Sequence, residues 1–270
     1  MMLDPAIAAA ERTDEARRLI ARAQTDTVDL VTISGLDLCV LGGPAQPLFE
    51  QTVASAWMKL GERRQRKVTA EVTARLVRRG LLIDDSAQRG SRDGDGGTYA
   101  LQPQLGLMLA ARCRPAFVVA AAIENGQGLR PLSLFALGDL AQPVRGIVAE
   151  LPAGLPPDRD GAYPDVRKLG PLGWIYRYVL VPPPAAAEML ARWTITPPAQ
   201  PDSAVTPRYL VSAYRPDREN PVIYHLGVRG DGKRAILDQP GHGNGEPRRA
   251  DYDLEGLQAV MLQLLAEASR

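Results

Sequence analysis

Pro115-Ala116-Phe117-Val118-Val119-Ala120-Ala121 decides the fold of this chain, because the chain makes it twice. Pro207-Arg208-Tyr209-Leu210-Val211-Ser212-Ala213 stands 92 residues further on. Each stretch is short, apolar and bounded by proline, as a buried strand is. After the first, Asn125-Gly126 turns the chain, 132–137 reads as a second strand closed by Gly138-Asp139, and 144–151 reads as a third. After the second, 222–228 is the next strand, closed by Gly230-Asp231, and 234–237 follows it. At this one offset Pro115, Val119, Ala121, Leu134, Gly138 and Asp139 all meet identical residues. Each copy then runs to an apolar helix, at 185–193 and at 254–268. Ordered matches at one spacing predict a duplicated βββ(β)α unit.

Working outward, the predicted fold class is α+β. A helical, winged-helix-like region over residues 1–114 precedes two quasi-twofold-related antiparallel units, 115–196 and 197–270. Asp4-Pro5 is a helix start, with a capping carboxylate and a proline in the first turn. That helix is expected to reach about residue 24. Residues 28–40 read as a bent strand or a strand pair, interrupted at Ser34-Gly35. Phe49, Val53, Trp57 and Leu60 recur at helical spacing over 47–60. The polar run 61–67 reads as a turn into a second helix, 68–79, which buries Val72 and Leu76 and ends at Gly80. A strand at 81–83, a loop over 86–97, a strand at 98–101 and a helix from Pro103 follow. Proline-rich stretches at 152–173 and 196–207 separate the later elements, and 240–247 reads as a loop before the last helix.

Composition narrows the function classes. At 270 residues, 45% hydrophobic and 23% charged, the chain has room for one large domain or two modest ones. A net charge of +1 gives no global argument for nucleic acid or anionic membrane, so any basic patch is local. Asp4, Glu11, Asp14 and Glu15 interrupt the first 23 residues, and no window holds 18 uninterrupted apolar residues. Cys39 and Cys113 lie in apolar settings and read as buried thiols of a reducing compartment, a disulfide being the other possibility. The expected location is the cytoplasm.

The motifs point away from catalysis. His225 and His242 are the two histidines, too few beside two scattered cysteines for a zinc site. No serine sits in a nucleophile elbow. Asp93-Gly94-Asp95-Gly96-Gly97 lacks the ligands that complete a calcium loop, and Gly241–Gly245 lacks the Gly-Lys-Ser/Thr of a phosphate loop. No enzyme, metal or cofactor is expected. The helix, basic turn, helix, strand order of 47–101 has a DNA-binding reading, with Arg63, Arg64, Arg66 and Lys67 on phosphates and Arg75, Arg78 and Arg79 facing a groove. The competing reading is a structural subdomain with a solvated face, in which Glu71 pairs with Arg75 one turn on. Trp174, Tyr176 and Tyr178 alternate along one strand face in a chain with few aromatics. Such a face is core or a protein-binding patch. The candidate partner-binding residues are these three, with Tyr224 and Leu226 from the second copy.

The order of these segments resembles the EspG family, cytosolic chaperones of ESX (type VII) secretion in actinobacteria. The likeness lies in Ile33-Ser34-Gly35-Leu36-Asp37-Leu38, in Arg79-Gly80-Leu81-Leu82, and in Met108-Leu109-Ala110-Ala111-Arg112 before Pro115 and Phe117. It continues in Gly232-Lys233-Arg234-Ala235-Ile236-Leu237, followed by a polar loop and a terminal amphipathic helix. The resemblance implies a quasi-twofold α/β architecture and a non-catalytic adaptor that covers the apolar tip of a helical secreted client, of PE–PPE or WXG100 type. The turn at 125–129 is shorter than the matching loop of the mycobacterial members, so the client's identity does not carry over.

Overall fold

A computed structural model describes residues 4–46, 49–84, 99–123, 131–138, 144–153, 166–195, 208–216, 222–239 and 248–270. The loop expected at 86–97, the stretch 196–207, Asp93–Gly97, Gly241–Gly245 and His242 lie outside them. The protein is mixed α and β with a large antiparallel sheet. It divides into two compact units: 1–21, 29–113 and 152–178 form the first, and 22–28, 114–151 and 179–270 form the second.

The first unit opens with α1 (Asp4–Glu11) and α2 (Asp14–Arg22). The single helix expected to residue 24 is broken because the Thr13 hydroxyl accepts the Ala16 N–H at 3.1 Å and starts a new helix. Asp14 and Glu15 stand in that helix's first turn, where negative charge suits the dipole. β1 (Val28–Ser34) is rich in β-branched residues, but the chain then turns into α3 (Gly35–Val40) and does not stay extended. Ser34 and Asp37 make a reciprocal capping box: Ser34 Oγ accepts the Asp37 N–H at 3.2 Å, and the Asp37 carboxylate accepts the Ser34 N–H at 2.8 Å. Both satisfy amides that a strand would have paired elsewhere, and the helix wins.

α4 (Gln51–Met58) and α5 (Glu62–Arg78) follow, so the basic run expected as a turn is the first two turns of α5 itself. α5 ends as expected at Gly80, with φ +68. Gly80 N–H donates to Val77 O at 2.8 Å and Leu81 N–H to Leu76 O at 2.9 Å, the paired bonds of a Schellman motif. β2 (Leu82–Asp84) pairs with β3 (Tyr99–Leu101), Leu82 opposite Leu101. α6 (Pro103–Cys113) packs against α1, with Leu105, Met108 and Leu109 fully buried. α3 packs on α4, α5 and a 3-10 turn at 166–173, and in this unit β1 lies beside the start of β7 (Ile175–Val181).

The second unit holds β4 (Val118–Ile123), β5 (Leu132–Leu137), β6 (Gly146–Ala153) and α7 (Pro183–Ile195). It continues with β8 (Arg208–Tyr214), β9 (Val222–Gly230), β10 (Ala235–Gln239), β11 (Arg248–Tyr252) and α8 (Leu254–Ala268). Strand order is β7-β6-β5-β4-β8-β9-β10-β11. Each copy therefore contributes four strands and a helix, with β7 and β11 as the optional fourth strands.

The register carries the same 92-residue offset as the sequence. Val118 pairs with Phe135 and Val119 with Leu134; in the second copy Leu210 pairs with Gly227 and Val211 with Leu226. Between the copies, β4 and β8 pair antiparallel, and Ala120 lies opposite Ser212, its own equivalent. On either side of that pair stand Val119 with Ala213 and Ala121 with Val211, the same two residue types exchanged. A local twofold axis through Ala120–Ser212 produces this pattern. The third strand departs from the offset: Leu137 pairs with Gly146, but its equivalent Arg229 pairs with Ile236, so the second turn is two residues shorter. That turn is held by Asp231, whose carboxylate accepts the Lys233 and Arg234 amides at 2.9 and 2.8 Å. The Arg234 amide bond, then that of Lys233, pulls the carboxyl below the usual carboxylate range.

One face of the sheet carries the helix pair. α7 touches β4, β5 and β9, α8 touches β8 and β11, and the two helices pack on each other. Leu190, Ala191, Met261 and Leu265 close on Val119, Leu134, Val211 and Leu226 in a core drawn from both copies. Gly230 is required there, since a Cβ would strike the backbone of Ile195 at the end of α7. Ile195 O accepts the Gly232 N–H at 2.8 Å across that approach.

Candidate functional site

The aromatic strand comes first, because it was the expected partner surface. β7 is buried on both faces at all but Arg177: Tyr176 is 3% exposed and Tyr178 0%, and Leu226 on β9 is also 0% exposed. These three belong to the core, which corrects the expectation that they form a free binding face. The reason is that period-two alternation assigns a residue to a face and is silent on whether that face is covered. Trp174 is partly exposed, and the side chain of Tyr224 lies outside the described residues.

Tyr178 helps seat a buried cation. Arg112 on α6 is 1% exposed; its Nε donates to Gln46 Oε1 at 2.7 Å and its Nη1 to the Tyr178 hydroxyl at 3.4 Å. Its guanidinium carbon stands 5.8 Å from the centre of the Phe49 ring, within cation–π range. Burial pushes the Tyr178 phenol well above its ordinary value, Arg112 pulls it down, and Tyr176 adds to the rise.

α5 carries the candidate nucleic-acid residues, and the structure separates them. Arg75 forms an ion pair with Asp37, which is fully buried on α3. Arg79 Nη2 donates to the Thr32 carbonyl of β1 at 2.7 Å. Both arginines are thus spent inside the first unit, which corrects their placement in a DNA groove. Glu71 pairs with Lys67 at 3.9 Å, not with Arg75. Arg63, Arg64, Arg66, Lys67 and Arg78 are exposed, with Arg66 beside Glu62 at 3.5 Å. Asp37 escaped the sequence reading as a functional partner, although Ser34-x-x-Asp37 is a legible capping signal.

A groove of about 720 Å³ runs along α5 between Trp57 and Tyr99, floored by Thr69, Ala70, Thr73 and Ala74. A second concavity, about 610 Å³, lies at the start of α5 by Arg63, Arg64 and Lys67. In the second unit the sheet face opposite α7 and α8 leaves Leu210, Tyr214 and Ile236 partly exposed.

Cys39 is on a helix, not a strand, and neither it nor Cys113 forms a disulfide. His225 falls in β9, its side chain outside the described residues. Among the described residues no group of three or more His, Cys, Asp or Glu side chains is placed to hold a metal ion, and no helix is long and apolar enough to cross a membrane. No family model matches the chain, and no curated protein matches it.

Proposed function

We propose that this chain is a non-catalytic cytosolic chaperone or adaptor of the EspG kind, binding an apolar helical tip of a type VII secretion substrate. The observation that carries the reading is the repeated register: β4 on β5 and β8 on β9 share one offset, about an antiparallel β4–β8 pair, with a helix after each set of strands. A quasi-twofold sheet of this kind, behind an N-terminal helical region, is what the EspG resemblance implies. The client's chemistry follows that resemblance as well: a helical protein of PE–PPE or WXG100 type, kept from aggregating until it is exported.

The test is co-expression of this chain with the PE–PPE-type and WXG100-type proteins of its own genome. The expected result is a stable complex on size exclusion and a client that stays soluble only in the chain's presence. Clients that are equally soluble alone, with no complex formed, defeat the reading.

A DNA-binding regulator is the second reading, supported by the α4–α5–hairpin order and by the exposed Arg63, Arg64, Arg66, Lys67 and Arg78. Against it stand the inward commitments of Arg75 and Arg79. Specific, steeply salt-dependent gel shifts that vanish on Arg64→Ala with Arg78→Ala favour this reading over the chaperone.

A further inference from the structure

The two copies end differently at their outer edges. β7, the fourth strand of the first copy, has β1 laid beside its start. β11, the fourth strand of the second, ends the strand order, and among the described residues no strand pairs with its outer edge. A strand bonded on one side turns alternate N–H and C=O groups outward, as a template for another strand. An edge blunted against such pairing carries lysine, whose single sign repels a second copy. β11 instead reads Arg248-Arg249-Ala250-Asp251-Tyr252, with both signs.

That order is complementary to itself. Paired antiparallel with a second β11 about Ala250, it sets Arg249 opposite the second copy's Asp251 and, by symmetry, Asp251 opposite the second copy's Arg249. Arg248 and Tyr252 meet in the same way, and Ala250 meets Ala250. The neighbouring strands leave this arrangement balanced. Within the chain Asp238 lies opposite Arg249, Ile236 opposite Asp251 and Leu237 opposite Ala250. Beyond them Gly227 lies opposite Asp238 and Arg229 opposite Ile236. Asp251 is half-exposed and already accepts Arg234 Nε on Oδ1 at 3.1 Å, and a carboxylate has a second oxygen with which to accept another cation. Each charged row across the joined edge therefore reads Asp238, Arg249, Asp251, Ile236, with no like charges opposite. The row through the axis reads Leu237, Ala250, Ala250, Leu237, apolar throughout. Opposite charges and small apolar pairs directly across a strand pair stabilise it.

We propose that β11 is the interface of a twofold dimer, in which two copies of this chain join their sheets edge to edge by antiparallel β11–β11 pairing centred on Ala250. A twofold interface uses the same patch on both partners, which is what a strand complementary to itself supplies. The inference does not rest on the chaperone reading.

The test is sedimentation equilibrium of the full chain over a concentration series. The wild type is expected to pass from monomer to dimer. Arg249→Asp and Asp251→Arg each set like charges opposite and are expected to weaken self-association by at least about tenfold. An equimolar mixture of the two variants regains the dimer, because one presents only carboxylates where the other presents only guanidiniums. Arg63→Glu, on exposed α5, changes the net charge as much as Arg249→Asp does and leaves association unchanged. In the wild type the β11 amides gain hydrogen-exchange protection as concentration rises, a readout that holds even where a variant folds poorly. A wild type that stays monomeric throughout overturns the interface. So do single variants that dimerise as tightly as the wild type, a mixture of folded variants that fails to pair, or β11 exchange that is independent of concentration.

Discussion

Buried titratable residues set how this protein responds to the pH of its surroundings. Burial pushes the Cys39 thiol from its ordinary 9.0 up to about 12, and the Tyr209 phenol from 10.0 up to about 12. Both are acids whose neutral form the fold prefers. Their contribution is complete below pH 9 and is lost as pH rises toward 12, because the unfolded chain ionises first and the folded chain resists. We expect the Tm to fall steeply between pH 9 and 12, and Cys39→Ala to flatten the early part of that fall. A Tm independent of pH over this window contradicts the burial of both groups. Within the same window Cys39 should resist alkylation in the native state and react on denaturation, since the thiolate is the nucleophile.

Elements here are held by polar contacts that their own sequences only half announce. α5 has a narrow apolar stripe, Val72 and Leu76, and owes its seat as much to Arg75 on Asp37 and Arg79 on Thr32. Asp37 also completes the capping box that turns β1 into α3. Arg75→Ala leaves a buried carboxylate without its cation, and we expect a loss of about 3–5 kcal/mol in urea unfolding. Arg64→Ala, on the exposed side of the same helix, is expected to stay within about 0.5 kcal/mol. Equal effects from the two would mean that the Asp37 pair holds nothing.

At the scale of the whole molecule, the two copies are not two domains side by side; they share one core. α7, from the first copy, packs on β9 of the second, and Leu134 and Leu226 enter the same apolar cluster. They are equivalent by offset, both 0% exposed, and face the same helix pair. Leu134→Ala and Leu226→Ala are each expected to cost about 2–5 kcal/mol. Both should shift one common unfolding transition of the second unit, followed by hydrogen exchange of the β4 and β8 amides. Two transitions, one sensitive to each substitution, would separate the copies.

Most strands, the 92-residue offset, the Gly80 stop and the helix that closes each copy are legible in the chain itself, because each depends on contacts between residues near in sequence or on a pattern that repeats; β11, at 248–252, is not. The helix at 35–40 was legible in part: Ser34 and Asp37 spell a cap, yet the β-branched run before them argued for a strand. Cover was not legible. Whether Tyr176 and Tyr178 face solvent, and whether Arg75 meets a phosphate or Asp37, depends on what a second element brings to that side chain. The repeat predicts two like faces. Only the tertiary structure shows the face opposite α7 and α8 buried at Val118 and Phe135, partly exposed at Leu210 and exposed at Arg229, because burial is a property of neighbours that no offset along the chain contains.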